Sequence, residues 1–194
     1  MRGQPRDDRG AAASQVIRIV VPHSGSPGKT RLGHAREELS LAMLADVLAV
    51  ATGVGRTWVV SPEPVADANW IPDPGGGQGA AVEAALREIG AGPVLVVNSD
   101  LPCVTAEDVQ ALASAAAPAI APAEDGTTNA LGLPDASLFA PLYGPGSAER
   151  FRAHFERAVF VNRPGLRDDV DTLDDLERLA GRCGPNTKAA LVSV

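Results

Sequence analysis

The stretch Val94-Leu95-Val96-Val97 is apolar at every position and is cut off by Asn98-Ser99-Asp100, and it constrains the fold more than any other segment. A strand points successive side chains to opposite faces, so a strand without a polar position must be covered on both. Sheets covered on both faces are parallel or mostly parallel, because helical crossovers supply the cover. The chain around it has the required alternation. Val16 to Val21 reads as a first buried strand, closed by Pro22 and followed by a Ser/Gly/Pro loop to Gly33. Leu39, Met43, Leu44, Val47, Leu48 and Ala51 recur at helical spacing and predict a helix over 35–51, with Gly53 as its stop. Thr57 to Ser61 is a second strand, Pro72 to Gly79 a loop, and Ala80 to Ile89 a helix.

Beyond Asp100, the pair Thr105 and Asp108 has capping-box spacing and starts a helix reaching about Ala115. Ala119 to Ala121 and Asn129 to Leu133 read as strands. A helix from Ser147 to about Ala158, a short strand over Val159 to Asn162 and a helix starting at Thr172 and Asp175 complete the pattern. Right-handed crossovers then give a single-domain three-layer α/β/α fold with a mostly parallel, twisted sheet. The loops at 22–33, 61–79 and 98–102 fall on its carboxyl edge, where such folds bind ligands. Residues 1–14 lack periodicity and read as a disordered leader; 15–182 form the domain, and 183–194 a C-terminal tail.

At 194 residues the chain hides enough surface to need no disulfide or structural metal. Cys103 and Cys183 have no ligand spacing, and neither a secretory segment nor a membrane span is evident, so the expectation is a reduced, cytoplasmic protein. A formal net charge of -7 argues against nucleic acid and anionic membranes as partners. An anionic substrate must therefore be met locally, by a few cations, backbone amides or a divalent ion.

Asp100 stands at a strand tip, and Asp169 and Asp171 flank Val170, so in an extended segment both face one side and complete a magnesium site with Asp100. Asp168 is expected to face solvent. Gly28-Lys29-Thr30-Arg31 places two cations after the first strand, in a loop without Walker A spacing. Thr128 and the run Tyr143-Gly144-Pro145-Gly146-Ser147 bring hydroxyls and free amides suited to an anion. Read singly, each has a plainer explanation: a turn aspartate, surface cations, a helix cap. His23, His34 and His154 form no metal pattern and are expected mostly at the surface; Phe151, Phe155, Trp58 and Trp70 are expected in the core. With no nucleophile elbow or Cys/His pair, the chemistry suggested is electrostatic: attack of one phosphate on another.

Six short segments in order carry a resemblance. They are Lys29-Thr30-Arg31-Leu32, Leu41 to Leu48 around Asp46, Asp100-Leu101-Pro102, Thr128-Asn129-Ala130-Leu131, Tyr143 to Ser147, and Pro164-Gly165-Leu166 with Asp169-Val170-Asp171-Thr172. Together they resemble the CofC/FbiD-type guanylyltransferases of coenzyme F420 biosynthesis, over Val16 to Leu179. The resemblance implies a nucleotide-diphospho-sugar transferase-like (Rossmann-like) fold. It also implies transfer of GMP from GTP to phosphoenolpyruvate or 2-phospho-L-lactate with release of diphosphate, and hand-off of the product to the next transferase of that pathway. It implies Asp100, Asp169 and Asp171 as magnesium ligands, Thr128, Gly144 and Ser147 as binders of the phosphorylated acid, and Lys29 and Arg31 as catalytic cations beside Asp100. Ser24 stands where relatives carry lysine, and Gln78-Gly79 where they carry Leu-Asn. These departures keep two other readings open: a nucleotidyltransferase with another acceptor, such as 3-phosphoglycerate or a sugar phosphate, and a catalytically silent nucleotide- or phosphoacid-binding protein.

Overall fold

The computed structural model describes residues 16–25 and 36–193; the leader expected over 1–14, together with Lys29, Arg31 and His34, lies outside the described residues. In chain order the elements are β1 (Arg18–Pro22), α1 (Arg36–Val54), β2 (Arg56–Ser61), β3 (Asn69–Pro72), α2 (Gln78–Ile89), β4 (Val94–Val97) and α3 (Ala106–Ala113). There follow β5 (Ala119–Pro122), β6 (Thr128–Leu133), α4 (Ser147–His154), β7 (Val159–Phe160), α5 (Pro164–Arg167), α6 (Leu173–Leu179) and α7 (Pro185–Ser193). The strands form one sheet in the order β3-β2-β1-β4-β6-β5-β7. All neighbours run parallel except β6, which is antiparallel to both β4 and β5.

Two apolar layers follow from the two-residue period of the strands. Ile19, Val21, Leu95 and Val97 pack under α1 and α3 through Leu44, Val47, Leu48, Val109 and Leu112. Val20, Val94 and Val96 face the other way, onto Val82 and Ala85 of α2, Phe151 of α4 and Phe155 just after it. Each such side chain contributes about 1.5–3 kcal/mol on leaving water, so β4 and its neighbour β6, both buried throughout, anchor the centre of the sheet. Helix α3 starts with the Thr105–Asp108 capping box and α6 with a second one, Thr172–Asp175, as their spacing requires.

Three stretches and one side chain depart from the expectation. Strand β3 lies inside the stretch read as loop; as a short, half-exposed edge strand it has no apolar alternation to betray it, and Pro72 is tolerated at its end. Trp70, expected in the core, is 39% exposed on this strand and donates its indole N–H to Ser61 O (3.1 Å), while Trp58 is buried. Helix α4 ends at His154 rather than near 158. The stretch read as a tail from 183 carries α7, which packs on α1, and Cys183 joins Leu39, Met43, Cys103, Val170 and Leu176 in a third apolar cluster.

Candidate active site

Because β6 runs against its neighbours, its first residue, Thr128, sits at the same edge as the carboxyl ends of β1, β4 and β5. A cavity of about 280 Å³ opens on that edge, lined by His23, Ser24, Gln78, Asn98, Asp100 and Asp171 among others. A second, of about 260 Å³, lies beside Arg167, Asp169, Asp171 and Arg178, so Asp171 stands between the two. A hollow of about 330 Å³ at the opposite pole, around Ile17, Leu95 and Leu133, has no convergent acidic groups. Chemistry rather than size therefore selects the carboxyl edge.

The three aspartates meet there. One carboxylate oxygen of each of Asp100, Asp169 and Asp171 lies within 4.8 Å of the others. Asp100 follows the buried β4, and the backbone of Val170 donates to Asp100 O (3.1 Å), drawing the 169–171 segment against it. Val170 itself is fully buried, which leaves its two neighbours facing the cluster. Burial pushes the Asp169 carboxyl up to about 6, and the charges of Asp100 and Asp171 push the same way, against a hydrogen bond from Asn129. Three hard oxygen donors crowded at this cost fit a divalent cation of the magnesium type, which removes the repulsion.

Asp168 does not face solvent. Its carboxylate is buried and held by Arg167 Nε (2.8 Å) and Arg182 Nη1 (2.6 Å), because the turn after α5 directs it inward, towards the helix that precedes α7. Burial alone would raise its pKa; the two guanidiniums outweigh burial and hold it below the ordinary carboxylate value. His23 is likewise buried rather than on the surface, with Nδ1 3.0 Å from Ser99 Oγ, whereas His154 is exposed.

Thr128 and Ser147 are brought together. Both are buried, and Ser147 Oγ donates to Thr128 Oγ1 (3.0 Å). Ser147 also donates its backbone N–H to Gly144 O (3.0 Å), and Gly144 and Gly146 have φ of 109° and 70°, conformations that favour glycine. Two residues outside the sequence-derived set complete the framework. Gln78 Nε2 donates to Asn98 Oδ1 (2.5 Å), and Asn98 Nδ2 donates to Thr128 O (3.2 Å), so a chain of hydrogen bonds runs from the start of α2 to the start of α4. Asn129 donates to Arg167 O (3.0 Å) beside Asp169. The sequence signal was present: Asn98 and Asn129 are polar residues at the ends of otherwise apolar strands.

The MobA-like NTP transferase domain matches residues 26–162 and sets the chain among the nucleotidyltransferases, a class that a mostly parallel sheet with an acidic cluster beside a cavity at its carboxyl edge suits. Solved structures agree on the fold. A protein from Desulfovibrio desulfuricans G20, provisionally described as a nucleotide-diphospho-sugar transferase, superposes with a TM-score of 0.68 at 22% identity, covering 91% of this chain and 93% of that one. The 2-C-methyl-D-erythritol 4-phosphate cytidylyltransferase of Thermus thermophilus gives 0.59 at 17% identity, over 91% and 99%. Among curated relatives, a phosphoenolpyruvate guanylyltransferase of Geodermatophilus obscurus is 35% identical over 89% of this chain and 93% of its own. That of Roseiflexus castenholzii is 38% identical over 80% and 83%. The chain belongs to the family of these guanylyltransferases. None of the described helices is long and apolar enough to cross a membrane.

Proposed function

We propose that this chain transfers GMP from GTP to a phosphorylated three-carbon acid, phosphoenolpyruvate or 2-phospho-L-lactate, and releases diphosphate. The observation that carries the reading is the convergence of Asp100, Asp169 and Asp171 beside a cavity at the carboxyl edge, in a chain whose relatives are named for this transfer to phosphoenolpyruvate. The acceptor phosphate attacks the α-phosphorus of GTP in line, its oxygen forms the new P–O bond, and diphosphate leaves with the electron pair. That oxygen is ionised near neutral pH, so no general base is needed.

In this reading Asp100, Asp169 and Asp171 hold magnesium. When bound, the ion supplies neutralisation of phosphate charge as the new bond forms. Thr128, Gly144 and Ser147 hold and orient the acid, fixing its phosphate against the nucleotide. Lys29 and Arg31, which follow β1 in sequence, contribute positive charge for the triphosphate. The buried thiols of Cys103 and Cys183 and the use of GTP suit the cytoplasm, and the reactive product suits direct hand-off to the next transferase of coenzyme F420 biosynthesis.

The test is diphosphate release with magnesium and GTP, run with phosphoenolpyruvate, 2-phospho-L-lactate, 3-phosphoglycerate, a sugar phosphate and no acceptor. Release confined to one of the first two acids supports the reading and names the substrate. Release with 3-phosphoglycerate or a sugar phosphate instead replaces the acceptor. Ligand binding without release from any of them points to a silent binding protein.

A further inference from the structure

Arg150 lies one turn into α4 and reaches back over the loop that precedes it. Its guanidinium donates to Leu142 O through Nη2 (3.0 Å) and Nε (3.2 Å), to Tyr143 O through Nη2 (3.1 Å), and to Pro145 O through Nη1. One cation thus gathers the carbonyls of three peptide units. In a trans peptide the N–H points opposite to the C=O, and every described peptide bond here is trans. The N–H groups of those same three units belong to Tyr143, Gly144 and Gly146, and each is therefore turned away from the guanidinium. None of the three donates to another protein group among the described residues. The positive φ of Gly144 and Gly146 lets the chain fold its carbonyls onto one side.

We propose that Arg150 is the positioning residue of the acid subsite: by holding three carbonyls it aims the amides of Tyr143, Gly144 and Gly146 at the anionic groups of the acceptor. This rests on the acceptor reading given above. A planar fork with five donors spread over three nitrogens suits the task, whereas lysine offers three donors from a single nitrogen. The loop is short and rich in glycine and proline; the Tyr143 ring packs on Phe139 and Phe151 at one end and Ser147 is fully buried at the other, so side chains anchor both ends and Arg150 acts on the backbone between them. The loop's amides need Arg150 to stay aligned; its fold does not.

The experiment compares the wild-type chain with Arg150→Ala and Arg150→Lys, reading KM for phosphoenolpyruvate, KM for GTP, kcat and melting temperature. The expected result is a rise in the acid KM of roughly tenfold to a hundredfold for Arg150→Ala, the loss of interactions of charge-assisted strength. Arg150→Lys falls between the two, and KM for GTP stays within about twofold. Millimolar guanidinium ion restores part of the acid affinity to Arg150→Ala. An acid KM unchanged in Arg150→Ala overturns the proposal, as does a parallel rise of both KM values with a lowered melting temperature. Calorimetric binding of phosphoenolpyruvate separates the two readings. If wild type binds the acid without turnover, the transfer reaction fails and the same comparison of Kd still judges Arg150; if wild type does not bind it, both fail.

Discussion

Asp46 of α1 caps α7 across 141 residues of sequence: its Oδ2 accepts the backbone N–H of Thr187 at 2.9 Å, while Oδ1 accepts from Asn186 N (3.0 Å) and Nδ2 (2.9 Å). The carboxylate is buried, and a side chain at Gly184 would collide with it. An acidic group at a helix start is favoured by the free amides and the helix dipole. Asp46→Ala should therefore cost about 2 kcal/mol, and a domain of this size then melts about 4–8 °C lower. A thermal melt followed by circular dichroism checks this, and an unchanged midpoint would show that α7 does not depend on its cap.

The acidic cluster makes a prediction about metal affinity. Asp100→Asn and Asp169→Asn should each weaken magnesium binding by at least about tenfold in calorimetry and lower turnover by roughly a hundredfold or more. Magnesium should raise the melting temperature of the wild-type chain and leave that of the variants nearly unmoved. Equal stabilisation of all three chains would remove these residues from the metal site.

Acidity tests the same cluster without metal. The Asp169 carboxyl is raised to about 6 in the folded chain, from an ordinary value near 3.8, chiefly by burial and then by Asp100. Between those two values the folded state holds more protons than the unfolded one, so stability falls as pH rises through this window and levels off above it. In EDTA, melting temperatures measured from pH 4 to 8 should carry this loss for wild type and lack it for Asp169→Asn. Identical profiles would mean that burial and its acidic neighbours do not raise the Asp169 carboxyl in the folded chain.

Cys103 and Cys183 face each other at 3.7 Å, and burial pushes the Cys103 thiol up to about 12. Both stay protonated at neutral pH, and thiolates are the reactive form. Iodoacetamide at pH 8 should label the native chain many times more slowly than the chain unfolded in guanidinium, and equal rates would contradict their burial.

Ser147→Ala leaves Thr128 Oγ1 without the hydroxyl that now donates to it. If the pair orients the acid, the KM for phosphoenolpyruvate should rise by about tenfold with kcat for saturating acid little changed, as steady-state kinetics would show. An unaltered KM would confine the pair to tying the start of α4 to β6.

The layers of the fold were legible because they rest on periodicity: Val94 to Val97 demanded cover on both faces, and Leu44, Val47, Leu48 and Ala51 supply it on one while Val82, Ala85 and Phe151 supply it on the other. The acidic triad was legible for the same reason, since alternation about a buried Val170 fixes which way Asp169 and Asp171 face. What stayed hidden depends on partners distant in sequence. Strand β3 exists only through pairing with β2, α7 through Asp46, and the inward turn of Asp168 through Arg182. No motif or spacing singles out Arg150, because only the folded loop gathers carbonyls around it.

The most direct measurement follows the product itself. Wild type and Asp100→Asn are incubated with GTP, phosphoenolpyruvate and magnesium, and phosphorus NMR and mass spectrometry identify what forms. GMP joined to the acid through a new diphosphate linkage, in equal amount to the diphosphate released and absent with folded Asp100→Asn, is the predicted result. No joined product from wild type with either three-carbon acid, or undiminished product from Asp100→Asn, would contradict the account.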